Sequence, residues 1–191
     1  MAPLPAPVAP PPTAAAVPAR DPGTAFELRF GAYYHGVGDV ERGTYDLSAS
    51  VVTPRLDAIG VTGAWRYAIP RFQVGGNYNL DHRTSFAYVD LAWTVPIIKY
   101  LFVEPFFGGA IHNGSLYGSP TLSDLGCREL FHVGASVGAP LAEHWVVMGT
   151  FEHLSNGKGI LGTDCGTNQT GFHGGGNQGL NNYGVRVGYD F

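Results

Sequence analysis

Charge is what this chain has least of. Asp, Glu, Lys and Arg together make up 14% of it, against about 25% in ordinary soluble domains, so a surface solvated on all sides is a poor fit. No basic cluster is present and the formal net charge is −4, which excludes a nucleic-acid surface on electrostatic grounds. There is no run of 18 or more apolar residues, so a membrane-spanning helix is excluded. A membrane β-barrel is not, because its strands alternate and stay hidden from hydropathy windows. Helical periodicity is almost missing. Cysteine is reduced to two residues, Cys127 and Cys165, which can pair in an oxidising compartment or stand as two separate thiols.

Hydrophobic residues make up 45% of the 191, with 28 glycines and 10 tyrosines. That is enough for one domain with a large apolar surface. Residues 1–23 are nearly all Pro, Ala and Val, a composition that cannot bury a core and reads as a disordered N-terminal extension. No signal peptide is evident there, since no basic stretch precedes an apolar one. Residues 24–191 form the structured domain.

From Phe26 onward the chain alternates with period two between turn-rich stretches, which predicts eight strands at about 26–37, 44–54, 71–80, 85–96, 101–112, 128–141, 145–156 and 181–191. One face of each is apolar, as in Phe26, Leu28, Phe30, Ala32 and Tyr34. The opposite faces carry Glu27, Arg29, Asp46, Asp90, Glu104, Arg128, Glu152, Arg186 and Asp190. A soluble core has no use for so many ionisable groups, but the interior of a narrow barrel can pair them. Trp93, Tyr100, Tyr117, Trp145, Tyr183 and Tyr189 near strand ends read as interfacial girdles. The connections after the fourth and sixth strands are short, and those after the fifth and seventh are long and rich in Gly, Ser and Asn. That asymmetry matches outer-membrane barrels, with long loops outside; the stretch 55–70 departs from it. The expected fold is therefore all-β, an eight-stranded antiparallel transmembrane β-barrel of outer-membrane type.

In the seventh strand the apolar positions Trp145, Val147, Gly149 and Phe151 continue into His153 and Ser155. Residues i and i+2 of a strand share a face roughly 7 Å apart, close enough for an imidazole to activate a hydroxyl as nucleophile. A blander reading is that the pair marks where the strand leaves the membrane. Asn181 in the eighth strand has the matching face and can hold an imidazole in the tautomer that a base needs. Asn156 and Asn177 lie nearby in sequence and can donate to an oxyanion, or serve simply as turn residues. Glu152 faces inward and is expected to partner Arg186.

His153-Leu154-Ser155-Asn156, followed by Asn177-Gln178-Gly179-Leu180-Asn181-Asn182-Tyr183 and the closing residues to Phe191, resembles the C-terminal signature of the PagL-type lipid A 3-O-deacylases. Weaker echoes are Gly31-Ala32-Tyr33-Tyr34-His35, Gly75-Gly76-Asn77, Gly108-Gly109-Ala110 and Leu125-Gly126-Cys127-Arg128. The resemblance implies an outer-membrane esterase that removes the ester-linked 3-O acyl chain from lipid A without cofactor or metal. Ser155 matches the nucleophile, His153 the general base, and Asn156 and Asn177 the oxyanion support. Asn181 stands where members of that family can carry a carboxylate; Asp164, in the long segment 157–176, is a substitute acid to consider. The expected partners are lipopolysaccharide and outer-membrane lipid, with a homodimer as a candidate assembly. Two competing readings are an inactive structural or adhesive barrel and a soluble lipocalin-like carrier.

Overall fold

The computed structural model describes residues 23–56, 60–157 and 178–191. The extension 1–22, Asp164, Cys165 and Asn177 lie outside the described residues. Strands run β1 (Glu27–His35), β2 (Thr44–Val52), β3 (Arg71–Asn79), β4 (Phe86–Ala92), β5 (Val95–Ile98), β6 (Leu101–His112), β7 (Glu129–Pro140), β8 (Trp145–Ser155) and β9 (Leu180–Asp190), with a 3-10 turn at Gly63–Ala68. Apart from β4 and β5, sequential neighbours pair antiparallel; β1 pairs with β9, and β4 pairs with β6, which closes the sheet on itself. β4 and β5 both align along β6, so they are two pieces of one barrel strand and the barrel has eight staves.

Pro105 accounts for that interruption. Trp93 donates its N–H to the Pro105 carbonyl at 2.9 Å, and in an antiparallel ladder the reciprocal bond would come from the N–H of residue 105. Proline has none. The strand breaks there, and Thr94 turns its hydroxyl inward to Glu104 at 2.6 Å.

The burial alternation is inverted relative to a soluble protein. β2 alternates residue by residue from buried Thr44 to buried Val52, and its buried positions include Asp46, Ser48 and Ser50 while Tyr45, Leu47 and Val51 are exposed. Phe30, Val74, Val89, Phe107, Val137 and Val185 continue the apolar band around the outside. Among the described strands the closed ladder leaves no unpaired edge, as a hydrocarbon surround demands. The soluble carrier required these faces to point inward, and they do not. Aromatics edge the band. Trp145 packs on Tyr189 with ring centroids 4.9 Å apart at one end, and Tyr34 meets Tyr45 at 5.7 Å near the other.

Inside, charges are matched in layers. Arg29 bridges Glu27 at 2.8 Å and Glu104 at 2.5 Å, and Arg71 reaches Glu27 at 2.9 Å. Farther along, His132 bonds Asp90 at 3.0 Å, and Glu152 accepts from Asn77 and, at 3.0 Å, from Asn182. The expected Glu152–Arg186 pairing is replaced: Arg186 donates to Ser136 at 2.6 Å and Thr150 at 3.1 Å. Two further corrections concern the interior set. Arg128 is exposed, because β7 begins one residue later and Arg128 belongs to the incoming connection. Asp190 is only half-buried, at the final position of β9.

Both described termini, the two-residue turn 99–100, the turn 141–144 and the described residues 53–56 and 60–70 lie at one end; the connections 36–43, 80–85 and 113–128, the end of β8 and the start of β9 lie at the other. The stretch 53–70 is thus a long connection at the short-turn end, where Arg55 and Arg66 both stack on Tyr67. At the long-loop end the 113–128 segment folds inward. Leu125 and Cys127 are buried with Phe86, Tyr88, Leu130, Leu154 and Leu180, and Cys127 is disulfide-bonded.

Candidate active site

The alternation of β8 continues without a slip to its end. Met148, Thr150, Glu152 and Leu154 are buried, while Phe151, His153 and Ser155 turn to the outer face. Antiparallel pairing sets His153 directly opposite Asn181 of β9, and Ser155 opposite Phe131 of β7. The pair therefore sits on the lipid-facing side, at the long-loop end, beside the Phe151–Tyr183 aromatic contact at 4.9 Å.

His153 Nδ1 lies 2.8 Å from Asn181 Oδ1. A carbonyl oxygen only accepts, so Nδ1 carries the proton and donates. Nε2 is then the basic nitrogen, with its lone pair available to take a proton. Ser155 Oγ accepts from the Gly157 N–H at 3.2 Å. Gly157 has φ +68°, a left-handed conformation that favours glycine, and it turns the chain so that this amide faces back toward the serine.

Asn156 points the other way. It is 4% exposed, and its Nδ2 donates to the Leu125 carbonyl at 3.1 Å, so its side chain ties the end of β8 to the folded-in 113–128 segment. Asn177 lies outside the described residues. The structure thus brings His153, Ser155 and Asn181 onto one patch and sends the Asn156 side chain into the barrel mouth.

Two glycines matter locally, and neither has a role legible from spacing alone. One is Gly157. The other is Gly179, at φ +64°, where an added Cβ would stand 2.7 Å from His153 Cε1 and 3.0 Å from the Leu154 carbonyl. The backbone of residue 179 is the wall against which the imidazole rests, and the Asn-Gln-Gly run is its visible trace. Above this patch, Gln178 exchanges two hydrogen bonds with Asp124, at 2.8 and 3.1 Å, so the residues entering β9 are fastened to the 113–128 segment.

No protein-family model and no curated protein sequence matches the chain. Solved structures do. The crystal structure of the outer membrane enzyme PagL aligns with a TM-score of 0.57 at 13% identity, covering 86% of this chain and 99% of that one. A de novo designed transmembrane β-barrel aligns at 0.53 and 11% identity, over 91% and 99% of the two chains. The N-terminal β-barrel domain of Pseudomonas aeruginosa OprF aligns at 0.51 and 10%, over 88% and 98%. The chain shares with these the closed eight-stranded barrel of outer-membrane proteins.

Proposed function

We propose that this barrel is an outer-membrane esterase that removes the ester-linked 3-O acyl chain, a 3-hydroxy fatty acid, from lipid A. The observation that carries the reading is the 2.8 Å contact between His153 Nδ1 and Asn181 Oδ1 on the same outer face as Ser155. Such a contact leaves Nε2 as base, on the side of the barrel where an ester of an outer-leaflet lipid would lie. A His and a Ser facing hydrocarbon are costly unless they have work there.

In this reading Ser155 turns its hydroxyl toward His153 Nε2, gives up the proton to it, and Oγ attacks the ester carbonyl carbon. Asn181 holds the ring and stabilises the imidazolium that forms. The Gly157 N–H, already directed at Oγ, is a donor within reach of the developing oxyanion. Collapse of the tetrahedral intermediate breaks the acyl–oxygen bond; the sugar oxygen leaves with the proton from Nε2, and the acyl group stays on Ser155. Water, deprotonated by Nε2, then releases the hydroxy acid and restores the serine. The long-loop end faces outward from the cell.

The alternative is a structural outer-membrane barrel without catalysis. It is favoured by the amide at Asn181, where a carboxylate is expected, and by the OprF-domain likeness. Mass spectrometry of lipid A from cells with and without the protein separates the two. The esterase reading expects loss of one 3-hydroxyacyl mass, abolished by Ser155→Ala in a barrel that still folds. Unchanged acylation with folded native protein in the membrane would overturn it.

A further inference from the structure

The ladder between β1 and β9 stops at Tyr34–Tyr183, short of the Asn181 that holds the His153 ring. Past that point Gly36, at φ +66°, a left-handed conformation that favours glycine, turns the chain. The Val37 N–H then donates to the Asn181 carbonyl at 2.7 Å, and the Gly36 N–H to Asn182 Oδ1 at 3.0 Å. Among the described residues these two amides join the entry of β9 to the connection 36–43. On its other side Asn181 pairs with His153 itself. The place of the Asn181 side chain therefore depends on where that connection is held.

Glu41 holds it. The carboxylate is fully buried and accepts from the Thr84 amide and hydroxyl and from the Ser123 amide, while His35 Nε2 lies 3.1 Å away. The other ring nitrogen of His35, Nδ1, is 2.8 Å from Asp46 Oδ2, so with both carboxylates ionised the ring donates on both sides as an imidazolium. Asp39 closes the turn by accepting the Glu41 N–H at 2.7 Å. Through Ser123 the same carboxylate fixes the 113–128 segment beside Asp124, whose two hydrogen bonds with Gln178 set the backbone of Gly179 against the imidazole. Two arms thus run from one buried group to the two residues that bound the His153 ring. One passes through Val37 to Asn181, the other through Ser123, Asp124 and Gln178 to Gly179.

We propose that Glu41 is a positioning residue for the patch: it keeps Asn181 and Gly179 where they hold the His153 ring in its Nδ1–H tautomer. The proposal rests on the esterase reading only for the use made of Nε2. The hydrogen bonds of the carboxylate go to His35, Thr84 and Ser123, none of them in the patch, so its effect passes through backbone. In Glu41→Gln the new NH2, whichever way the amide is turned, meets the backbone N–H of Thr84 or of Ser123. A buried donor left facing a donor is costly, and the loops relax to separate them. The substitution alters no atom of the patch itself.

The test reads the ring directly. NMR of the barrel in detergent micelles, with histidine labelled on its ring nitrogens, reports each tautomer at about pH 8.5, above the ordinary imidazole range; His153 is assigned from the signals lost in His153→Gln. The parent should show one tautomer, with Nδ1 protonated and Nε2 bare. Glu41→Gln should move the His153 signals toward a mixture of tautomers, and kcat on lipid A in micelles should fall about 10-fold with KM within about 2-fold. Thr84→Val removes one donor from the carboxylate and keeps both backbone amides. It should act in the same direction to a smaller extent, and it carries the test if Glu41→Gln does not fold. Glu104→Gln breaks an ion pair at the short-turn end and should leave the His153 signals as in the parent, which separates positioning from a general loss of stability. Heat-modifiable migration on gels verifies that each variant is folded. His153 signals unchanged in Glu41→Gln and Thr84→Val, or moved as far by Glu104→Gln, would overturn the proposal and leave the esterase reading standing. A native barrel that leaves lipid A intact while its His153 signals respond to Glu41→Gln does the reverse.

Discussion

At the scale of single residues, the site depends on how the His153 ring is held. Asn181 supplies an acceptor without a charge, so it fixes the tautomer but stabilises the imidazolium less than a carboxylate does. On the esterase proposal, replacing Asn181 by Leu should lower kcat/KM on the order of 10²-fold, whereas Asn181→Asp should keep or raise it; lipid A deacylation rates in micelles test both. Gly179 makes a separate prediction. A methyl group there meets His153 Cε1 at 2.7 Å and sits on a backbone at φ +64°, a conformation that costs a non-glycine residue about 1 kcal/mol or more. On the esterase proposal, Gly179→Ala should displace the imidazole, so kcat should fall at least about 10-fold, while stability drops only by the backbone cost of about 1 kcal/mol or more. Equal activity in this variant would show that the ring does not need its wall.

The elements at the long-loop end are fastened by one carboxylate. Glu41, in the connection between β1 and β2, is fully buried. It accepts from the Thr84 amide at 2.8 Å, the Thr84 hydroxyl at 2.9 Å and the Ser123 amide at 2.9 Å, and it lies 3.1 Å from His35 Nε2. Burial alone pushes its pKa up, but the hydrogen bonds from His35, Thr84 and Ser123 outweigh it and bring the group from 4.5 down to about 2. A depressed carboxylate stabilises the folded state above its unfolded pKa and loses that contribution as pH falls through the folded value. The loop cluster should therefore hold above about pH 4.5 and loosen as pH approaches about 2, by roughly 3 kcal/mol in all. Hydrogen exchange of the 80–85 and 113–128 amides against pH measures this. Glu41→Gln should produce much of the same loosening at neutral pH, because the Thr84 and Ser123 donors lose a charged acceptor.

For the whole molecule, the two faces of the barrel obey opposite rules. Val185 lies midway along β9 and is 57% exposed on the lipid side, so Val185→Lys should destabilise the barrel by about 2–4 kcal/mol in bilayers. Inside, Arg29 is held by Glu27 and Glu104 together. Glu104→Gln leaves the guanidinium with one carboxylate fewer and should cost about 3–5 kcal/mol. Denaturant unfolding in lipid vesicles reads both. A soluble protein with this chain would show the reverse at Val185, where an added charge would be nearly neutral.

Alternation decided the fold at the level of sequence. With period two, a residue's parity assigns its face, so the strands, the inverted burial and the outward direction of His153 and Ser155 are all legible in one dimension. The pairing of His153 with Asn181 is partly legible too, because two strands joined by a single connection are neighbours in an up-and-down barrel. What parity cannot carry is the chain where it leaves the ladder. Arg128 has the parity of an interior residue, yet it lies one residue before β7 begins and turns outward to the carbonyls of His112 and Gly114. Asn156 sits beside Ser155 in sequence, yet the left-handed turn at Gly157 follows it and its amide goes to Leu125, 31 positions away. Glu152 and Arg186 have opposite charges and the right face, but the barrel's cross-section offers each of them other partners first. Those choices depend on distances across a closed interior, and only the tertiary structure sets them.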